Sequence, residues 1–243
     1  MTYETILFDV GDTLVRVPKP AAVYHQILAQ HGCPLSLQRM DEMLAETRRI
    51  VEQSIPLLIG EDLSLDRRAA ADRRALHVDT IISLASPPEP MGVRQAFFDL
   101  YVGTEFFTLY PDVVATLQRL REDGYRLGVV SNWEGRLRQL FAAHGIDEYF
   151  DFVVVSELEG YVKPHPALYR RALELAGTAA HRTLHVGDKL REDVQGAAQV
   201  GIRTVLIDRT GGPPADYEPR ICSLSELPPL LDIPSPLEGR GRG

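Results

Sequence analysis

Five short runs of β-branched and aliphatic residues stand out along the chain: Thr5–Phe8, Leu127–Val130, Phe152–Val155, Thr183–Val186 and Thr204–Ile207. Each is nearly continuously apolar rather than alternating. That is the pattern of strands buried on both faces of a parallel sheet. Between the runs, apolar positions recur at helical spacing. Val113, Val114, Leu117 and Leu120 form a stripe before the second run, and Leu137, Leu140 and Phe141 follow it. Leu168, Ala172, Leu175 and Ala176 follow the third run, with Gly177 placed to cap the helix end. Strands alternating with helices in this way predict an α/β fold built on an open, doubly wound parallel sheet.

The first two runs are far apart. Residues 16–108 lie between them, and most of that stretch reads as helix: Ala21–His31, Leu37–Gln53, Leu65–Leu84 and Gly92–Phe106. The segment from Pro87 to Pro90 reads as a break. A stretch with this many helices is too long for a simple crossover. The pattern therefore predicts a core of residues 1–15 and 109–232, with an inserted helical subdomain at 16–108. The tail, 233–243, is rich in proline, glycine and arginine without an apolar face, and is expected to be disordered.

Composition narrows the function classes. The chain has 243 residues, 44% hydrophobic and 25% charged, which is ordinary for a soluble globular protein. No run of apolar residues reaches membrane-spanning length. The start of the chain has neither the basic stretch nor the apolar region of a secretion signal. Two cysteines, Cys33 and Cys222, are too few for a disulfide framework or a cysteine zinc site. A net charge of −8 argues against nonspecific nucleic-acid binding. These features predict a cytoplasmic protein, a monomer or homodimer, with no nucleic-acid or membrane partner. One bias is sharper: of 26 basic residues, only Lys19, Lys163 and Lys189 are lysines. Rare lysines in an arginine-rich chain direct attention to sites needing a compact ammonium.

In open α/β sheets, ligands bind beyond the carboxyl ends of the strands. The first run ends in Asp9-Val10-Gly11-Asp12-Thr13, and the second in Ser131-Asn132. Gly160-Tyr161-Val162-Lys163-Pro164 follows the third, and the fourth ends in Gly187-Asp188, with Asp193 five residues on. The sheet would gather Asp9, Ser131, Lys163, Asp188 and Asp193 at one edge. Clustered carboxylates repel, and a divalent cation resolves the conflict. Oxygen ligands without histidine or cysteine favour magnesium over zinc. A lysine and a hydroxyl beside such a metal suit a phosphoryl dianion, and a carboxylate held against phosphorus can act as a nucleophile. Taken singly, these residues read as helix caps, turn residues or surface charges. In strand order together, they read as a site.

The same segments resemble the haloacid dehalogenase-like hydrolase superfamily. ILFDVGDTL resembles its first motif, VVSN its second, GYVKPHPALY its third and HVGDKLREDVQGA its fourth. The resemblance spans roughly residues 4–230. It implies a Rossmann-like core, a helical cap of the C1 type at the insert, and a magnesium-dependent phosphatase acting on a small phosphorylated metabolite. It also implies roles. Asp9 is the nucleophile, Ser131 and Lys163 are catalytic, and Ser131, Asn132 and Lys163 bind substrate. The metal is held by Asp9, the Gly11 carbonyl, Asp188 and Asp193.

One departure matters. Most phosphatases of the family carry a second aspartate two residues after the nucleophile, as general acid and base. Gly11 occupies that position here, and Asp12 stands one residue later. Asp12 could turn in and transfer the proton. Water or the metal could assist the leaving group more slowly. Or the chain could bind phosphate compounds with little catalysis. The 2-haloacid dehalogenases of the same superfamily also lack that aspartate, but they do not keep the Gly-Asp metal motif. Gly187-Asp188 and Asp193 favour the phosphatase reading.

Overall fold

The computed structural model describes residues 3–54, 64, 67–102, 106–211 and 217–231. The expected disordered tail lies outside them. The chain divides into two compact units, Met1–Arg16 with Leu109–Gly243, and Val17–Thr108.

In chain order, the elements begin with β1 (Thr5–Phe8) and the short β2 (Val15–Arg16). Four helices follow: α1 (Pro20–Gln30), α2 (Leu37–Ser54), α3 (Arg67–Ala85) and α4 (Pro90–Val102). The chain returns through β3 (Thr108–Leu109), α5 (Val113–Glu122), β4 (Arg126–Ser131) and α6 (Leu137–Ala143). Then come β5 (Phe152–Val155), α7 (Ser156–Glu159), α8 (Pro166–Ala176) and β6 (Thr183–Gly187). A π-type turn, Leu190–Gln195, leads into α9 (Gly196–Ala198). Last are β7 (Arg203–Ile207), β8 (Arg220–Ile221) and α10 (Leu227–Leu231).

Six strands form one parallel sheet in the order β5-β4-β1-β6-β7-β8. The chain winds outward from β1 through β4 to β5, then crosses back to β6 on the other side of β1. The order therefore reverses beside β1, where open sheets of this kind bind ligands. All four residues of β1 are buried, as expected of a central strand. Helices cover both faces. Leu168, Tyr169, Ala172 and Ala176 of α8 pack on Leu7, Val130, Phe152 and Val154. On the other face, Phe8 meets Phe150, which stacks on Phe141 of α6 with ring centroids 5.0 Å apart. Gly177 ends α8 in the left-handed region, at φ 61°.

The unit Val17–Thr108 is built from α1 to α4. Val23, Tyr24, Ile27 and Leu28 of α1 pack with Met40 and Met43 of α2, Val78 and Ile81 of α3, and Val93 and Phe97 of α4. Pro87–Pro90 separates α3 from α4, and Pro90 opens α4, where a missing N–H costs nothing. Arg16 falls in the sheet unit. It belongs to β2, and its guanidinium lies over the Tyr110 ring, 5.3 Å from the centroid.

Candidate functional site

Sheet register decides which residues meet. Phe8 pairs with Val129 on one side and Val186 on the other, and Ser131 is level with Val155. Asp9, Ser131 and Asp188 therefore leave their strands at one edge. Lys163 comes from the loop after α7, where Gly160 turns the chain at φ 77°. Asn132 fastens that loop. Its Oδ1 accepts from the Lys163 backbone N–H at 2.7 Å, and its Nδ2 donates to the Lys163 carbonyl at 3.3 Å.

Asp193 returns to the edge through the turn Leu190–Gln195. Its carboxylate lies over Gly187, where a Cβ would sit 2.3 Å from Asp193 Cγ. No residue with a side chain fits there. The Asp193 Oδ2 accepts from the Lys189 N–H at 3.0 Å.

The charged groups form a compact, buried set. Lys163 Nζ lies 2.5 Å from Asp9 Oδ1 and 2.5 Å from Asp193 Oδ1. Ser131 Oγ donates to Asp9 Oδ1 at 2.9 Å. Among the described residues, Asp9 Oδ2 carries no hydrogen bond, so one carboxylate oxygen is left open. Lys163 is 3% exposed, Asp9 5% and Asp193 0%.

Three carboxylates stand together and two of them share Lys163, and their proton affinities separate accordingly. Burial pushes Asp193 up, but Lys163 and His185 outweigh it and hold the carboxyl well below the usual range. Burial raises Asp9, and Lys163 only partly opposes it. Burial and the charges of Asp9 and Asp193 push Asp188 up to about 7. Burial alone would lower Lys163, but Asp193 and Asp9 hold its ammonium charged. The edge thus carries more negative charge than its lysine can balance.

The donor chemistry fits a hard divalent cation. Asp9, Asp188 and Asp193 each offer an oxygen, all within 4.8 Å of one another. Asp188 Oδ1 is buried without a hydrogen-bond partner among the described residues. An oxygen-only set of this kind suits magnesium. Gly11 is half-buried in the turn after β1.

Asp12 goes elsewhere. Its backbone is left-handed at φ 51°, a conformation aspartate tolerates better than most side chains. Tyr110 Oη donates to its Oδ1 at 3.3 Å. The turn is tied down further by Arg209, which stacks on Tyr110 4.1 Å from the ring centroid and donates to the Thr13 carbonyl at 2.6 Å. Arg209 also pairs with Asp112 at 2.5 Å.

Sequence reading passed over Tyr110, Arg209 and Asp112, which carry no local motif. It placed His185 in the strand core, and the side chain is indeed buried, but its Nε2 lies 3.1 Å from Asp193 Oδ1. The usable signal was the strand period: His185 and Gly187 share a face. Among the weaker candidates, Lys189 Nζ pairs with Glu192 at 3.3 Å, Trp133 is half-buried, and His165 caps α8 by accepting from the Ala167 N–H.

A sequence model described as haloacid dehalogenase-like hydrolase matches residues 3–201. The chain is 32% identical over 226 residues to a glyceraldehyde 3-phosphate phosphatase from Methanopyrus kandleri, covering 89% of this chain and 88% of that protein. Among solved structures, a HAD phosphatase from Thermococcus onnurineus superposes with a TM-score of 0.64 at 25% identity, covering 94% of this chain and 98% of the other. A 2-haloacid dehalogenase from Pseudomonas syringae superposes with a TM-score of 0.68 at 26% identity and the same coverage.

Proposed function

The chain belongs to the haloacid dehalogenase-like hydrolase family, and within it we propose a magnesium-dependent phosphatase of a small phosphorylated metabolite. The observation that carries this reading is the Asp9–Asp188–Asp193 set, with Asp188 Oδ1 buried and unpartnered. A dehalogenase needs one nucleophilic aspartate and no metal. It gives no role to a further carboxylate such as Asp188, whose buried Oδ1 has no partner among the described residues.

In this scheme Asp9 Oδ2 attacks phosphorus in line with the leaving alcohol, forming an aspartyl phosphate. Ser131 and Lys163 hold Asp9 Oδ1, so the free oxygen keeps its aim, and both then meet the phosphoryl oxygens. Asp9, Asp188, Asp193 and the Gly11 carbonyl would hold magnesium, which supplies positive charge against the phosphoryl oxygens. Asn132 acts through the Lys163 backbone. Asp12 is assigned the proton transfer, to the leaving alcohol and then from the water that frees Asp9, which requires its carboxylate to turn from Tyr110 toward the leaving group. The unit Val17–Thr108 is assigned the part of cap, choosing the substrate.

The name of the Methanopyrus relative makes glyceraldehyde 3-phosphate the first ester to try. The test is a screen of phosphorylated metabolites with magnesium and with EDTA, alongside 2-chloropropionate. Phosphate release that EDTA abolishes is expected. Halide release surviving EDTA would instead identify a dehalogenase. Magnesium or phosphate binding without turnover of any ester would identify a binding module.

A further inference from the structure

We infer that His185 is a positioning residue for the phosphohydrolase reaction, fixing the Asp193 carboxylate that holds Lys163 against Asp9. The inference rests on the phosphatase reading of the site. Its structural basis is the set of hydrogen bonds that meet on the Asp193 carboxylate.

Asp193 is 0% exposed and carries an ionised carboxylate, which can only accept hydrogen bonds. Its Oδ1 takes Lys163 Nζ at 2.5 Å and His185 Nε2 at 3.1 Å. Its Oδ2 takes the Lys189 N–H. His185 must therefore donate from Nε2. Its Nδ1 is buried without a partner among the described residues, so Asp193 is the ring's polar contact. The ring itself cannot swing. The edge of Tyr169 meets it at 5.4 Å between centroids, and the Tyr169 hydroxyl is anchored on the Glu192 carbonyl at 2.7 Å.

The consequence lies in how Oδ1 is shared. Lys163 bonds Asp193 and Asp9 at equal distances. A second donor on Asp193 Oδ1 fixes that oxygen laterally, so the ammonium stays between the two carboxylates. Without it the carboxylate is held by Lys163 and one backbone N–H, and can rotate with the lysine. Such supporting contacts usually carry about 10–100-fold in activity or metal affinity. A histidine kept only for packing would leave both unchanged when replaced by an apolar residue of similar volume.

Three variants separate these cases. His185→Leu fills the space without a donor. His185→Gln extends an amide N–H to about the place of Nε2. His185→Asn carries the same amide one bond short. The readouts are kcat and KM on the preferred ester, magnesium affinity by calorimetry, and Tm. The expected result is that His185→Leu and His185→Asn lose about tenfold in kcat with KM within about twofold, and weaken magnesium by a similar factor. His185→Gln should return to within about threefold of the parent. The inference is overturned if His185→Leu keeps the parental kcat and magnesium affinity. It is equally overturned if Gln falls as far as Asn, which makes the loss one of packing. Should Leu fail to fold, the contrast of Gln with Asn decides. A parent that turns over no ester counts against the proposed function, and the magnesium titration of the variants then judges His185 on its own.

Discussion

Lys163 and Lys19 show two ways in which this chain uses a rare residue. Lys163 sits at the sheet edge, 3% exposed, touching two carboxylates. Lys19 lies on the surface at the start of α1, where it lines a cavity of about 540 Å³ with Asp41, Arg48 and His77. The first lysine was placed by strand register and a fastened loop, and each neighbour depends on it. The second is one of several solvated side chains around an opening. A buried charge must be balanced by geometry, and a solvated one by water. Substitutions should therefore be costly and specific at the sheet edge, and mild in the helical unit.

The largest effect is expected at Asp9, the proposed nucleophile. Asp9→Asn removes the attacking oxygen and should lower turnover of p-nitrophenyl phosphate by about 10⁴-fold or more. The fold should persist, because asparagine can still accept from Ser131 and Lys163 at Oδ1. Steady-state hydrolysis with circular dichroism checks both. Retained turnover would remove Asp9 from the chemistry.

Lys163→Arg comes next. It keeps the charge, yet the ammonium lies 2.5 Å from two carboxylates in a closed space. A planar guanidinium cannot occupy that point without displacing Asp9 or Asp193. Activity should fall about 10²–10³-fold, and overpacking should cost about 1–3 kcal/mol in chemical denaturation. A variant as active as its parent would show that any cation serves there, and the contrast with Lys19 would lose its basis.

How much of this contrast was legible in the sequence follows from the same physics. The five strands were visible because buried parallel strands need unbroken apolar runs, and observed ends differ by at most a residue. Asp9, Ser131, Lys163, Asp188 and Asp193 could be gathered because strand order alone sends them to one edge. β2, β3 and β8 are two residues each, too short to leave a period. Asn132 was read as a substrate ligand, and the structure adds that its amide bonds the Lys163 backbone, a contact across 31 residues that no local pattern encodes. His185 looked apolar by its surroundings, because a strand's neighbours say nothing about the side chain that a later turn lays over it.

Asp188 gives a smaller effect, read as stability rather than rate. Burial and the neighbouring carboxylates raise its pKa from 3.8 to about 7 on folding. A carboxyl that holds its proton more tightly when folded stabilises the protein below the unfolded pKa, and that contribution is lost as pH rises through about 7. In EDTA, Asp188→Asn should therefore gain a few degrees of Tm over the parent at pH 8 and clearly less at pH 5. Saturating magnesium should erase the parent's deficit at pH 8, because the cation balances the charge that the proton balanced. Scanning fluorimetry of both proteins at the two pH values, with EDTA and with magnesium, reads all of this. Equal Tm values in EDTA at pH 8 would mean that Asp188 bears no strain for a cation to relieve.

The smallest effect is expected at Arg48, on the exposed face of α2 beside the cavity. Arg48→Ala should change unfolding free energy by less than about 0.5 kcal/mol, since it neither opens a core cavity nor strands a buried partner. Its kcat on an aryl phosphate should stay within about twofold of the parent. The measurement matters because it can break the contrast from the other side. A loss approaching that of Lys163→Arg would mean that the helical unit shares the chemistry of the edge. If kcat holds, the KM for whichever ester the screen identifies is the quantity left for Arg48 to move, and a rise in it with kcat unchanged would assign substrate choice to this unit.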